Sequence, residues 1–299
     1  MQANISHNLA APLPAGGYQA ESGFKKWQQY LWCLLFATSG LVFFEPAPFD
    51  LLSLFLFILF LILGLRIPAR LHVFIICLAL FFSFSLLSSM NAFMITDATK
   101  HIFITGFLVV MSLFTACLLA TGDKLMAEYM WRGWLISALI ATFAGIAGFL
   151  ELVPQAEQFT RYGRAQGTFK DPNVFGPFLV PPVIYAFMKY AQSKGLMRLF
   201  YVGLMGVLAA GILLSFSRAA WGHLIVSLLI AMSAIALTST RKGERFGLVL
   251  FLVLAGIICT VGLSVLLNVD SFKELFAQRF SLSQTYDSGG QGRFDGQAK

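Results

Sequence analysis

From residue 31 onward the chain is a succession of apolar runs separated by short polar breaks. The runs fall at about 31–45, 51–65, 71–90, 101–121, 134–153, 174–190, 199–215, 219–238 and 246–267. They are continuously apolar and do not alternate, so they read as helices and not as barrel strands. A helix needs roughly 20 apolar residues to cross a hydrocarbon layer about 30 Å thick, and on that measure the pattern predicts nine spans. Backbone exposed to lipid must satisfy its own hydrogen bonds, which leaves helices as the only form these runs can take. The first two runs are short. The Glu45-Pro46-Ala47-Pro48 break between them marks either two spans or a re-entrant pair.

Composition agrees with this pattern. Of 299 residues, 58% are hydrophobic and 12% charged, with 31 phenylalanines; an ordinary soluble domain is about 25% charged. The expected fold is an all-α polytopic membrane bundle over residues 31–267. It is preceded by a cytoplasmic tail, 1–30, and followed by a polar C-terminal stretch, 268–299. The N-terminal segment does not read as a cleaved signal peptide: Lys25 and Lys26 directly precede the first apolar run, with no small-residue cleavage site after it. Cys33, Cys77, Cys117 and Cys259 all lie inside expected spans, so neither a disulfide framework nor a zinc site is indicated. The four histidines make no metal spacing; His72, His101 and His223 read as polar residues tolerated within a bundle. No cofactor, metal or nucleic-acid partner is expected; membrane lipids are.

Charge then gives an orientation. With the N-terminus inside, the cytoplasmic connections hold 12 of the 21 Lys and Arg residues but only Glu21, Asp123, Glu128 and Glu244 as acids. That is the bias expected of inward-facing loops. The remaining basic residues, which the bias disfavours, stand out on the other side. Arg161, Arg164 and Lys170 lie in one polar, Gly- and Pro-punctuated segment, Arg161 to Pro177, and Arg218 lies in a very short turn between two spans. Arginine offers a planar donor fork that pairs bidentately with phosphate oxygens. Convergent arginines at a membrane face therefore suit an anionic, diphosphate-bearing lipid. The competing readings are pairing with Glu151, Glu157 or Asp171, and snorkelling to ordinary headgroups. Within the same segment, Gly167 reads as a turn. Asp171-Pro172-Asn173 reads as a helix start, with Pro172 at the first helical position and Asp171 as the cap.

Three stretches carry a resemblance. Arg164 to Asn173 reads RxxGTFxxPN, Leu213 to Ala220 reads LLSxSRAA with Ser215, Ser217 and Arg218, and Gly289 to Arg293 reads GGxGR. Together, and in this order, they resemble the O-antigen ligase and polymerase superfamily of bacterial inner-membrane glycan transferases. The resemblance extends to the EPAPFD step at 45–50. It implies a periplasmic-facing cavity in which Arg161 or Arg164, Arg218 and Arg293 hold the diphosphate of a polyprenyl-linked glycan. The implied acceptor is lipid A core or a growing glycan, as in lipopolysaccharide biosynthesis. Such ligases often carry a loop histidine as base. No His follows His223 and the sequence stops at Lys299, at the start of the large periplasmic loop that the resemblance implies, so the chain reads as truncated and its base as unknown.

The implied reaction is inverting glycosyl transfer, with fixed positive charge assisting departure of diphosphate. The rival readings are a transporter and a non-enzymatic envelope-assembly component. Ion-coupled carriers hold ionisable groups in mid-span and show paired broken helices. Here no charged residue lies deep in an expected span, and the Pro181-Pro182 step has no counterpart in another half.

Overall fold

The computed structural model describes residues 25–90, 95–122 and 124–238, together with isolated positions 247, 251–253, 256, 257, 260, 261, 264, 268 and 273. Eight α-helices occur in this part: α1 Lys26–Ala37, α2 Pro48–Ile62, α3 His72–Ser89, α4 Ile95–Thr121, α5 Lys124–Phe149, α6 Pro172–Gln192, α7 Leu196–Leu214 and α8 Arg218–Thr238. A two-residue-per-strand hairpin, β1 Thr160–Arg161 and β2 Arg164–Ala165, lies between α5 and α6. Six helices, α3 to α8, are long and apolar enough to cross a membrane. The tail 1–24, most of the ninth run and nearly all of 268–299, including Arg293, lie outside the described residues.

The first two runs differ from the expectation of full spans. Helix α1 has 12 residues and α2 has 15, so they rise about 18 and 22 Å at 1.5 Å per residue. Helix α1 stops where Thr38 and Ser39 turn their hydroxyls onto the Leu35 and Phe36 carbonyls. Helix α2 starts at Pro48, with Asp50 Oδ2 accepting from Ala47 N at 3.2 Å. Residues between them are irregular, and their polar groups bond to protein: Gly40 N donates to Ser137 Oγ (2.6 Å) and Val42 N to the Thr168 carbonyl (3.0 Å), while Thr168 Oγ1 donates to Gly40 O. Ser137 is near the midpoint of α5. Non-helical backbone at that depth is tolerated only when buried in protein or lining a cavity.

The fifth run begins earlier than hydropathy suggests, at Lys124, and the charged Glu128 and Arg132 in its first turns find partners on α5 and α6. Glu128 accepts from Arg132 Nε (3.1 Å), Lys189 Nζ (2.7 Å) and Tyr185 Oη (2.8 Å), which ties α5 to α6. Trp131 stacks on both Trp134 and Tyr185, with centroids 5.4 and 5.6 Å apart. Helix α6 passes unbroken through Pro177, Pro181 and Pro182.

Two apolar clusters form the core. One is built from α5, α6, α7 and α8 around Phe175, Leu179, Phe187 and Leu208; the other joins α1, α2 and α4 around Trp32, Phe60 and Phe114. Small residues set the closest approaches, as membrane interfaces favour. A Cβ on Gly133 would lie 2.2 Å from the Cys33 carbonyl oxygen, and one on Gly176 would lie 2.6 Å from Ser215 Oγ. Helix α3 has no buried residue and packs chiefly on α4.

Candidate functional site

The segment from α5 to α6 folds back into the bundle instead of lying over it. The hairpin pairs Thr160 with Ala165 and Arg161 with Arg164. Its two turn residues, Tyr162 (φ 54°) and Gly163 (φ 70°), both take positive φ, the conformation that matches the twist of a tight hairpin. After β2 the chain descends along α5. Gly167, at φ +56°, lies so close that a Cβ there would be 2.4 Å from the Ala141 carbonyl oxygen. Ala141 is eight residues short of the α5 end, about 12 Å down the helix.

Arg164 organises this descent. Its side chain is buried, with Nε donating to the Ser215 carbonyl (2.8 Å) and a terminal nitrogen donating to Asn173 Oδ1 (2.8 Å). One guanidinium thus joins the hairpin, the first turn of α6 and the turn between α7 and α8. Asp171 caps α6, its Oδ1 accepting from Asn173 N at 2.7 Å, with Pro172 in the first turn, as the sequence indicates.

The α7–α8 turn is held from within. Phe216 is buried with φ 47°, Ser215 Oγ donates to Ile212 O (2.6 Å), and Trp221 Nε1 donates to the same carbonyl (3.1 Å). Ser217 caps α8, its Oγ accepting from Ala220 N at 3.4 Å. Arg218 is the first residue of α8 and is exposed. A cation there opposes the helix dipole. That placement is rational where an anion binds, because the helix terminus and the guanidinium then attract the same charge.

Arg161 differs from Arg164. It is exposed, donates to the Lys170 carbonyl (2.8 Å) and lies 5.2 Å over the Tyr162 ring. Lys170 Nζ pairs with Glu45, which anchors the α1–α2 connection to the same segment. The hydrogen bond from Lys170, reinforced by its charge, holds the Glu45 carboxyl below its ordinary range. Beside the hairpin, Glu151, Gln155, Glu157 and Thr160 line a depression of about 530 Å³. The four non-glycine residues described with positive φ are Glu151, Gln155, Tyr162 and Phe216. All four are on this end, and such backbone clusters at functional sites.

No family of known proteins, no curated protein and no solved structure matches this chain. The site therefore rests on its own geometry. The structure brings together Arg164, Gly167, Asp171, Pro172, Asn173, Ser215 and Ser217, with Arg161 and Arg218 exposed on the same end; Arg293 lies outside the described residues. Among the described residues, no three His, Cys, Asp or Glu side chains are close enough to hold a metal. Sequence reasoning did not single out Gly40, Ser137 or Gly176. The only sequence signal was small or hydroxylic residues at isolated positions within apolar runs, which the pattern alone does not separate from ordinary helix packing.

Proposed function

We propose that this chain is a membrane glycan transferase that moves a saccharide from a polyprenyl-diphosphate carrier to an acceptor hydroxyl. One observation supports the reading above the rest: the Arg164 guanidinium joins RxxGTFxxPN to LLSxSRAA, two stretches that are distant in the sequence. The second stretch carries an exposed cation at a helix N-terminus. On this reading Arg218, Arg161 and Arg293 face the diphosphate, while Arg164 fixes the frame that aims Arg218.

In the reaction the acceptor oxygen attacks the anomeric carbon, the bond from that carbon to the diphosphate oxygen breaks, and configuration inverts. The acceptor proton passes to a general base. Diphosphate needs only fixed positive charge where its negative charge grows, and arginines supply this without reorganisation. The acceptor is lipid A core in a ligase or a growing glycan in a polymerase. The Lys and Arg bias supports a hairpin end on the periplasmic side of a bacterial inner membrane, with the N-terminus cytoplasmic.

The test is transfer of labelled saccharide from polyprenyl diphosphate in membranes containing the full-length protein. Arg218→Lys and Arg293→Lys keep the charge but lose the bidentate fork. Each is expected to lower transfer about tenfold or more at unchanged protein level. Near wild-type transfer by both variants would remove the shared diphosphate site and leave ordinary headgroup contact as the role of these arginines.

A further inference from the structure

The opposite end of the bundle carries a second cavity, of about 470 Å³, where the first turn of α1, the end of α2 and the end of α4 meet. This is within the size range of small-molecule sites, roughly 300–1,000 Å³. Phe60, Leu63 and Leu65 give it apolar walls; Gln28, Arg66 and Thr121 supply the polar ones. Gln28 is buried, and its Oε1 accepts from Lys25 N at 2.7 Å, which fixes the amide where it lines the cavity.

The end of α2 is closed by its own backbone. Gly64, at φ +86°, turns the chain so that Leu65 N donates to Phe60 O (2.9 Å) and Gly64 N to Leu61 O (3.1 Å). These are the paired bonds of a Schellman cap. The Phe60 and Leu61 carbonyls are thereby satisfied without Arg66. Among the described residues no carboxylate pairs with Arg66. Lys25, Lys26, Arg70 and Lys124 lie in the same set of connections, and the described acid at this end, Glu128, is already engaged by Arg132 and Lys189. Among the described residues the cavity lining therefore has apolar walls, the Gln28 amide and one cation, Arg66. Its side is flanked by exposed Leu61, Ile62 and Leu63, so hydrocarbon-facing surface runs directly into it.

We propose that this cavity seats the phosphate headgroup of an anionic membrane lipid, with Arg66 pairing to the phosphate and the acyl chains lying along Leu61 to Leu63. Basic pockets between membrane helices bind such headgroups. The apolar flank favours a lipid over a free phosphate ion, which would use only the charged wall. The site is independent of the glycan-transfer reading, since it is built by α1, α2 and α4 at the other end.

The test uses the full chain, purified in detergent and delipidated. It is titrated separately with dioleoyl phosphatidylglycerol, dioleoyl phosphatidylcholine and inorganic phosphate at matched ionic strength. Native mass spectrometry counts bound lipid and thermal melting reads protection. Phosphatidylglycerol is expected to remain bound and to raise the melting midpoint, while phosphatidylcholine and inorganic phosphate do neither. Arg66→Gln should weaken phosphatidylglycerol binding about tenfold, and Arg70→Gln should not. Leu63→Trp, which fills the cavity mouth without changing charge, should weaken it as well. Undiminished binding by Arg66→Gln or by Leu63→Trp overturns the site. Equal protection by phosphatidylcholine overturns the anionic specificity, and equal protection by inorganic phosphate overturns the lipid as its source.

Discussion

Arg164 and Arg218 look alike in sequence, each an arginine in a motif at a membrane face, and the structure separates them by what surrounds each. Arg164 is enclosed and spends donors on Ser215 O and Asn173 Oδ1; Arg218 is exposed at a helix start. Lysine has one compact ammonium and cannot span both acceptors. Arg164→Lys should thus cost about 1.5–3 kcal/mol of stability, seen as a lower melting temperature, whereas Arg218→Lys should leave the melting temperature unchanged. Equal melting of the two variants would dissolve the distinction. Asp171→Ala removes a cap bond and should cost about 1 kcal/mol, with Asp171→Asn close to neutral. The cap was legible because Asp-Pro-Asn has a local meaning: proline needs a first-turn position, and the residue before it then becomes the cap. The burial of Arg164 was not legible, because it depends on a carbonyl 51 residues later.

Helix α1 against α5 shows how an element is placed by what it lacks. Gly133 admits the Cys33 carbonyl so closely that any Cβ must push the helices apart. Gly133→Ala should therefore destabilise by about 1–3 kcal/mol, the usual range for overpacking, read from the melting temperature. The connection between α1 and α2 is tied at its far end by Glu45 and Lys170. Because the Glu45 carboxyl is held below its ordinary value, the tie is fully present above the unfolded carboxyl range, near 4.3. It is lost as pH falls through the lower, folded value. Amide exchange around residues 41–47 should rise in that acid window, and in Glu45→Gln it should already be raised at neutral pH and respond less to acid. Hydropathy located all eight described helices, since long apolar runs have few alternatives. It overextended α1, because Leu41 to Phe44 is as apolar as a helix yet runs as irregular backbone bonded to Ser137 and Thr168. The expected EPAP break is real. Its depth in the bundle depends on partners that no local pattern names.

Across the whole molecule, the two ends differ in charge and in construction. The end with Arg66, Lys124 and Lys189 is rich in base, and the end with the hairpin mixes base and acid. A cysteine at Tyr162, which is 77% exposed, should be labelled by a membrane-impermeant reagent in intact cells, and one at exposed Lys194 only after the membrane is permeabilised. Labelling of both in intact cells would discard the bundle orientation altogether. The hairpin end is also where α1 and α2 fall short of a full crossing, and this bears on synthesis. The ribosome makes residues 26–62 before Ser137 and Thr168 exist, so Gly40 N and Val42 N emerge with their acceptors still unmade. Each unpaired group costs several kcal/mol in hydrocarbon. The first two helices must therefore wait at the membrane surface or beside the insertion machinery until α5 and the descending segment arrive. A chain arrested before residue 137 should leave 38–47 open to protease, and one arrested after α6 should protect it. The helices made first are thus seated only after one made later.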